Sequence, residues 1–195
     1  MPRVQKIIRH QMLKEKLKAS PFLTDEELAM LLGVSIPTIR LDRLELNIPE
    51  LRERTKQMAK DAQAKLKAIS SEEVIGELID LELGHKGISV MQVSSEMVFE
   101  KTKTARGHFI FAQANSLALA IVDAPAAATG IANIKYKTPV HIDEKLIAKA
   151  EVVKKRANKY FIWVKIRNEK QEVFRAKFII VSWEGNEGRY HESSH

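Results

Sequence analysis

The sequence predicts an α+β protein with a small all-helical module, a connecting helix, and a larger domain in which an antiparallel sheet wraps round one buried helix. Three observations support this prediction. Helix boundary signals are concentrated in residues 1–48, whereas residues 71–184 largely alternate between apolar and polar residues, as strands do. Within that second region, residues 108–122 are apolar on nearly every side, which is typical of a buried helix.

The first module carries the boundaries of two short helices. Thr24 followed by Glu27 is a capping box, and Gly33 ends the helix that it starts because glycine readily takes a positive φ. Ser35 can cap a second helix, with Pro37 in the first turn, where a missing N–H costs nothing. Two short helices joined by a tight turn are the arrangement of a helix-turn-helix, whose second helix enters the major groove of DNA.

Charge favours a DNA-binding module over an ordinary pair of packed helices. Residues 1–70 contain 14 basic and 9 acidic residues, whereas the remaining 125 contain 18 and 16, so most of the net charge of +7 lies in the first part. A basic surplus here suits phosphate contacts. We expect Ile39 and Leu44 to pack inward. Four polar side chains of the second helix are expected to be available for DNA: Ser35, Thr38, Arg40 and Arg43.

Residues 49–70 predict one amphipathic connecting helix with Pro49 at its start. Apolar residues at helical spacing form a stripe along it: Leu51, Met58, Ala62, Leu66 and Ile69. The stripe fits a helix that packs on its own domain, and it fits equally a helix that packs alternately on its domain or on a partner. The sequence leaves both interpretations open.

Residues 71–184 predict the sheet domain, and residues 185–195 a polar tail. Alternation and β-branched content indicate strands near 75–83, 88–93, 97–99, 131–137, 146–152, 159–167 and 173–183, with a turn at 168–171. One buried helix among antiparallel strands is the hot-dog arrangement. Such a sheet has a free edge, which a homodimer can extend.

Composition excludes several classes of site. The chain has no Cys, which excludes disulfides, cysteine-based zinc sites and a cysteine nucleophile. The six His are scattered without the spacing of metal ligands, so we expect no metal site. No segment is apolar enough to span a membrane or to serve as a signal peptide. We therefore expect a cytoplasmic protein.

The start of the buried helix concentrates the candidate binding chemistry. Arg106 and Gly107 fall where unpaired N–H groups and a partial positive charge attract anions. Arg106 can bind a carboxylate or phosphate through two parallel hydrogen bonds, and Gly107 leaves room for a ligand. Asn115, like Gln113, is an amide that needs partners, and Phe99 can line an apolar channel. The alternatives are that Arg106 pairs with a surface acid, Asn115 with strand-end carbonyls, and Phe99 with the core.

Two stretches resemble the FapR family of bacterial lipid-synthesis regulators. They are residues 21–54 and 98–122, and shorter stretches at 73–83 and 145–152 support them. The resemblance implies a helix-turn-helix joined to a hot-dog effector domain, repression of fatty acid and phospholipid synthesis genes, and release of DNA on binding malonyl-CoA. The protein would then be a homodimer without cofactor or catalytic activity, bound to a palindromic operator.

The resemblance also assigns roles within the effector domain. Arg106 would bind the malonyl carboxylate, Gly107 would allow close approach, Phe99 would form the pocket wall, and Asn115 would reach the ligand from the central helix. Two positions depart from the family pattern. Pro37 stands where we expect Gln, which alters the expected operator preference, and Thr104 stands where we expect an apolar residue.

Two other classes compete with a malonyl-CoA-responsive repressor. Hot-dog domains resemble acyl-CoA thioesterases, which usually place an Asp or Glu near the central helix. Here residues 106–122 have no carboxylate, and Asp123 comes only at the helix end. A sugar-phosphate-responsive repressor would share the helix-turn-helix, but its sensor would alternate helices and strands, a pattern that residues 124–183 lack.

Overall fold

The computed structural model describes residues 6–184, which fall into two units divided between Met58 and Ala59. Four helices occupy the region before the sheet: α1 Lys6–Ala19, α2 Asp25–Leu32, α3 Ile36–Glu45 and α4 Leu51–Gln63. The boundary between the two units lies within α4. The predicted polar tail at 185–195 lies outside the described residues.

Both predicted caps of the helix-turn-helix are confirmed. The Thr24 hydroxyl accepts a hydrogen bond from the Glu27 N–H at 3.1 Å, and the Glu27 carboxylate accepts one from the Thr24 N–H at 2.8 Å. Gly33 ends α2 with φ of 64°. The Ser35 hydroxyl accepts a hydrogen bond from the Thr38 N–H at 3.3 Å at the start of α3. Local side-chain chemistry therefore sets where these helices begin and end.

A small apolar core joins α1, α2 and α3, and its fully buried members are Leu13, Leu28 and Ile39. A buried ion pair reinforces it. Arg9 Nη2 donates to Asp42 Oδ1 at 2.9 Å, which ties α1 to α3. Arg54 of α4 donates to the carbonyl oxygens of Pro21, Leu23 and Pro49, which ties the start of α4 to the preceding helices.

The connecting helix is shorter than the sequence predicts. It ends at Gln63, so Leu66 and Ile69, which the stripe placed on it, lie in the segment beyond. Both side chains pack against the core of the sheet unit, as does the buried Ala62. The apolar spacing continues past the helix because Ala62, Leu66 and Ile69 all pack into the same core. The backbone beyond Gln63 nevertheless does not follow a helical path.

The second unit is a six-stranded, fully antiparallel sheet with strand order β1-β2-β4-β5-β6-β3. The strands are β1 Glu77–Glu82, β2 Lys86–Gln92, β3 Ala126–Tyr136, β4 Lys145–Arg156, β5 Lys159–Arg167 and β6 Glu172–Trp183. One helix, α5 Gly107–Ala120, packs against β2 to β6. This is the predicted hot-dog arrangement.

Alternation along the strands builds the core between the sheet and α5. On β4, Leu146, Ala148 and Ala150 are buried while the residues between them are exposed, and β5 and β6 alternate in the same way. Small residues on β4 let the backbone of α5 approach the sheet. The predicted turn at 168–171 is confirmed, since Asn168 Oδ1 accepts hydrogen bonds from the N–H groups of Lys170 and Gln171.

Three predictions about this unit need correction. The strand expected at 97–99 is instead a 3-10 turn, Ser95–Met97, followed by a single bridge between Val98 and Ala105. β3 begins at Ala126, five residues before the expected start at 131, because its first residues are alanines that carry little strand signal. α5 is not buried all round, since Phe111, Ala112 and Asn115 are only half-buried.

β1 and β3 form the edges of the sheet. β3 is long, and Ile131 and Tyr136 on it are exposed, so its free backbone edge is flanked by apolar side chains. Within residues 6–184, no helix has both the length and the apolar character needed to cross a membrane.

Candidate functional site

Arg106 is the N-cap residue of α5. Its Nη2 donates to the carbonyl oxygen of Glu96, and its guanidinium lies 5.0 Å from the centre of the Phe109 ring. The Nε atom is buried and has no hydrogen-bond partner among the described residues. No carboxylate within residues 6–184 forms an ion pair with this side chain, so the proposed pairing with a surface acid is absent there. The helix start therefore holds an oriented, uncompensated cation.

Gly107, the first residue of α5, lies under the ring of Tyr136. A Cβ built on Gly107 would meet atoms of that ring at 3.0 Å, and the Tyr136 hydroxyl donates to the Gly107 carbonyl oxygen at 2.8 Å. Partial burial of the Tyr136 hydroxyl raises its pKa above the ordinary tyrosine value. Glycine is needed here because the end of β3 passes close to the helix start.

A groove of about 410 Å³ opens between the start of α5 and the segment after β3. Gly107 and Ile110 line one side, and Tyr136, Lys137 and Thr138 line the other. The hydroxyl of Thr138 is buried and lacks a partner among the described residues. This hydroxyl can donate a hydrogen bond to a molecule bound in the groove or accept one from it.

Phe99 lies outside this groove. It belongs to the turn that precedes α5, where its N–H donates to the Thr104 carbonyl oxygen at 2.8 Å and its own carbonyl accepts from the Lys103 N–H at 2.9 Å. The ring is 54% exposed, so it is not a core residue of this chain. Its predicted place on a ligand wall stays a prediction.

Asn115 and Gln113 have different surroundings on α5. Asn115 Oδ1 accepts from the Thr129 hydroxyl at 2.6 Å, so its partner is a strand side chain and not a strand-end carbonyl. Asn115 and Phe111 also line a second groove of about 260 Å³. Gln113 is fully buried, and its Nε2 lies 3.4 Å from the carbonyl oxygen of Ser89. The half-buried Asn115 thus faces accessible space, whereas Gln113 faces the core.

The helical unit requires one correction among the predicted DNA contacts. Arg43 is buried with 4% exposure, and its Nε and Nη2 each donate to a carboxylate oxygen of Asp25 at 2.8 Å. It follows Ile39 by four residues and so shares the inward face of α3. Leu44, expected to pack inward, is 72% exposed. Arg43 therefore joins α3 to α2 and is not available for DNA.

The remaining predicted contacts lie on the accessible side of α3. Ser35 is exposed, Thr38 is half-buried, and their hydroxyls lie 2.9 Å apart. Arg40 is exposed, with its Nε 3.5 Å from an Asp25 oxygen. Together with Pro37 these side chains surround the amino-terminal half of α3, which is the part of a recognition helix that reaches base edges.

The chain is similar to known transcription factors along most of its length, in both units. A transcription factor FapR from Caldanaerobacter subterraneus subsp. tengcongensis is 56% identical over 182 residues, which cover 93% of this chain and 91% of the relative. The chain belongs to the FapR family of transcription factors. A FapR from Bacillus subtilis is 47% identical over 173 residues, with 87% of this chain and 92% of the relative covered. The family likeness therefore extends across both units.

The sheet unit of this FapR-family chain has wider relatives. The family model described as "Thioesterase superfamily" matches residues 104–174. A solved structure of an uncharacterized protein from Pyrococcus horikoshii aligns with a TM-score of 0.55 and 26% sequence identity. The alignment covers 59% of this chain and 88% of the Pyrococcus chain. The sheet unit is thus similar both to the thioesterase superfamily and to this solved structure.

Sequence reasoning about the FapR-like site missed Tyr136 and Thr138. Tyr136 had been placed only in a strand, and nothing in its neighbourhood signalled a functional role. One usable signal was Gly107, since a glycine at a helix start indicates that another part of the chain or a ligand comes close. Among residues 6–184, no cluster of His, Asp or Glu side chains has the geometry to hold a metal ion.

Acid should destabilise the helical unit of this FapR-family protein. Hydrogen bonds from Arg43 lower the pKa of Asp25, and those from Arg9 lower the pKa of Asp42, in both cases against the opposing effect of burial. An unfolded Asp has a pKa of about 3.9. These pairs therefore stabilise the fold above about pH 4, and their contribution is lost as the pH falls from there through the lower folded pKa values. Carboxyl NMR titration tests this, and midpoints at or above the ordinary value would contradict it.

Proposed function

We propose that this protein represses genes of fatty acid and phospholipid synthesis and leaves its operator when malonyl-CoA binds the hot-dog unit. The observation that carries the proposal is Arg106, a cation without a carboxylate partner among residues 6–184, placed at the start of α5 in a FapR-family chain. Malonyl-CoA acts as an effector, and the proposal needs no cofactor. Malonyl-CoA and DNA both occur in the cytoplasm, where we place the protein.

The ligand's free carboxylate is the basis of its recognition. Malonyl-CoA carries a carboxylate beyond its thioester, whereas acetyl-CoA ends in a methyl group. A guanidinium at a helix start distinguishes these two ends, since it binds a carboxylate through charge-assisted hydrogen bonds. Gly107 lines the groove at the helix start beside Tyr136, and we propose that it lets the ligand approach there and that Asn115 and Phe99 contact the ligand. Calorimetry with malonyl-CoA, acetyl-CoA and CoA tests this order of affinity, and equal binding of all three would refute it.

We infer that the protein binds DNA as a homodimer joined through the hot-dog units. The free edge of β3 and its exposed apolar side chains favour this assembly. A dimer places two copies of α3 on a palindromic operator with half-sites about one or two helical turns apart. Six to ten phosphate contacts would lower affinity by roughly 10³–10⁵ between 50 and 200 mM salt.

Arg40→Ala should weaken operator binding without unfolding the helical unit. The side chain is exposed and its ion pair with Asp25 is long, so its removal costs little stability. Loss of a base or phosphate contact should cost about 1–3 kcal/mol of binding free energy. Electrophoretic mobility shifts with the operator measure the effect, and Lys101→Ala on the other unit serves as the control. Unchanged operator affinity in Arg40→Ala would show that α3 does not read DNA through this residue.

We infer that α4 couples malonyl-CoA binding by the hot-dog unit to release of DNA by the helix-turn-helix. It crosses the boundary between the two units, so a shift in its position changes where the helix-turn-helix stands. Malonyl-CoA must bind more tightly to one of two arrangements in order to shift the balance between them. Typical coupling of about 1–3 kcal/mol corresponds to a five- to 150-fold loss of operator affinity.

The thioesterase-family match keeps hydrolysis as a second candidate. Asp123 follows the carboxyl end of α5, a helix about 20 Å long at 1.5 Å per residue, whereas Gly107 stands at its amino end. A 2.7 Å hydrogen bond from Lys67 lowers the pKa of Asp123, which makes it a poor general base. We expect no release of CoA in a free-thiol assay with malonyl-CoA. Sustained turnover that Asp123→Asn abolishes would reassign the protein to the thioesterases.

A further inference from the structure

Four exposed cations lie in register on the face of the sheet that points away from α5. Lys149 on β4 pairs with Lys165 on β5, which pairs with Arg175 on β6, which pairs with Lys135 on β3. We call these four residues the cation row. Neighbouring strands lie about 4.8 Å apart, so the row extends roughly 15 Å across the sheet.

The row faces solvent because its three members on β4, β5 and β6 alternate with core residues. Ala148 and Ala150 on either side of Lys149 are buried against α5, and so are the neighbours of Lys165 and Arg175. All four cations are exposed. The outward face of the central strands therefore presents a straight line of positive charge.

Of the four cations in the row, Arg175 alone forms an ion pair in the described part of the chain. Arg175 forms an ion pair with Glu172 at 3.0 Å, and Glu172 also pairs with Lys137. Lys135, Lys149 and Lys165 have no ion pair among residues 6–184. Like charges directly opposite each other destabilise a sheet. The alignment therefore works against folding and requires a different explanation.

Aromatic and aliphatic surface adjoins the cation row. Trp163, two residues before Lys165 on β5, is 45% exposed, and the Lys177 ammonium lies 5.1 Å from the centre of its ring. Ile147 on β4 is also exposed. A groove of about 700 Å³ lies at the Lys149 end of the row, where Trp163, Lys149 and Lys165 line it together with the acidic side chains of Asp80, Glu82 and Glu151. An acidic partner therefore meets the row itself, beyond this groove. Trp and Arg are enriched where proteins bind one another, and charged side chains lie at the polar rim of such interfaces, so Trp163 fits an apolar anchor with the lysines of the row around it.

We propose that the cation row binds an acidic amphipathic helix of a partner protein, laid across the strands along the row. Side chains three or four residues apart on a helix lie about 5–6 Å from each other, close to the strand spacing. Acidic residues at i, i+4, i+7 and i+11 span about 16 Å of helix axis at 1.5 Å per residue, which matches the row. Apolar residues beside them on the same helix face would pack on Trp163. This proposal does not depend on the one for malonyl-CoA and the operator.

The test uses the full chain and two labelled synthetic helical peptides of one composition. In the first peptide, four glutamates occupy the spacing given above with leucines beside them, and in the second the glutamates are distributed round the helix. Fluorescence anisotropy should show tighter binding of the first. Lys149→Gln with Lys165→Gln should weaken that binding about five- to tenfold, because each exposed ion pair contributes modestly. The control variant, Lys101→Gln with Lys170→Gln, also removes two positive charges, but from turns outside the cation row. It should leave peptide binding unchanged.

Equal binding of the two peptides, or unchanged binding by the row variant, would overturn the proposal. So would a row variant that loses affinity for duplex DNA without an operator while it keeps its affinity for the first peptide, since the surface would then be one for nucleic acid. Folding gives an independent readout. Lys165→Gln removes a charge that faces two like charges, so its thermal midpoint should rise, and a fall would contradict the inferred repulsion.

Discussion

Replacing Arg106 by alanine should yield a repressor that binds its operator normally and responds to malonyl-CoA only at far higher concentrations. The guanidinium is the cation at the start of α5 without a carboxylate partner in the described chain, and we propose that the malonyl carboxylate supplies one. Loss of a charge-assisted hydrogen bond costs about 1.5–3 kcal/mol, or roughly a ten- to 150-fold loss of ligand affinity. Operator binding measured against malonyl-CoA concentration should therefore show release only at far higher concentrations than in the wild type.

Two further variants test ligand recognition at the start of α5. Arg106→Lys keeps the charge but loses the two-pronged donor, so it should recover part of the response. Gly107→Val places a Cβ 3.0 Å from atoms of the Tyr136 ring, which is closer than ordinary van der Waals contact. The ring must therefore shift at the edge of the groove, and the variant should also respond poorly to malonyl-CoA. An Arg106→Ala protein that releases DNA at wild-type malonyl-CoA concentrations would remove Arg106 from the site.

Arg43→Ala should abolish operator binding because the helical unit unfolds. The side chain is buried and donates two hydrogen bonds to Asp25, so its removal leaves that carboxylate between α2 and α3 with only the long contact to Arg40. Breaking a buried ion pair in this way costs about 3–5 kcal/mol, which is a large part of the stability of a small domain. Hydrogen exchange should show loss of amide protection across α2 and α3 while the sheet retains its protection.

The comparison with Arg40→Ala makes this prediction specific. Both substitutions remove one arginine from α3, but Arg40 is exposed and Arg43 is buried. Arg40→Ala should keep amide protection and lose operator affinity, whereas Arg43→Ala should lose both. An Arg43→Ala protein with unchanged amide protection and weakened operator binding would restore Arg43 as a direct DNA contact.

The helical unit was predictable where the signals are local. Thr24, Gly33 and Ser35 act within one turn of the chain, and each lies where the capping rules placed it. Arg43 was assigned to DNA on its chemical type, although its spacing of four residues from Ile39 puts it on the inward face. A charged residue can occupy that face only with a buried partner, and Asp25 lies 18 positions earlier in the sequence. Such tertiary pairing leaves no local pattern.

In the sheet unit, too, features set by local sequence were predictable and features set by long-range contacts were not. Alternation indicated the strands after α5 well, but it did not determine the strand order, which places β3 at the edge beside β6. The anion-binding character of Arg106 and Gly107 followed from their place at a helix start, and the resemblance to FapR suggested the ligand. Tyr136 was not predictable because its contact with Gly107 joins residues 29 positions apart. The cation row likewise exists only in the register of four strands.

The response of operator binding to malonyl-CoA tests the central claim most directly. The measurement is the affinity of the wild-type protein for its operator, at one fixed salt concentration, across increasing malonyl-CoA and, in parallel, acetyl-CoA. We predict that malonyl-CoA lowers operator affinity by about five- to 150-fold and that acetyl-CoA has no effect in the same range. Operator affinity that is indifferent to malonyl-CoA, or that falls equally with acetyl-CoA, would contradict the account.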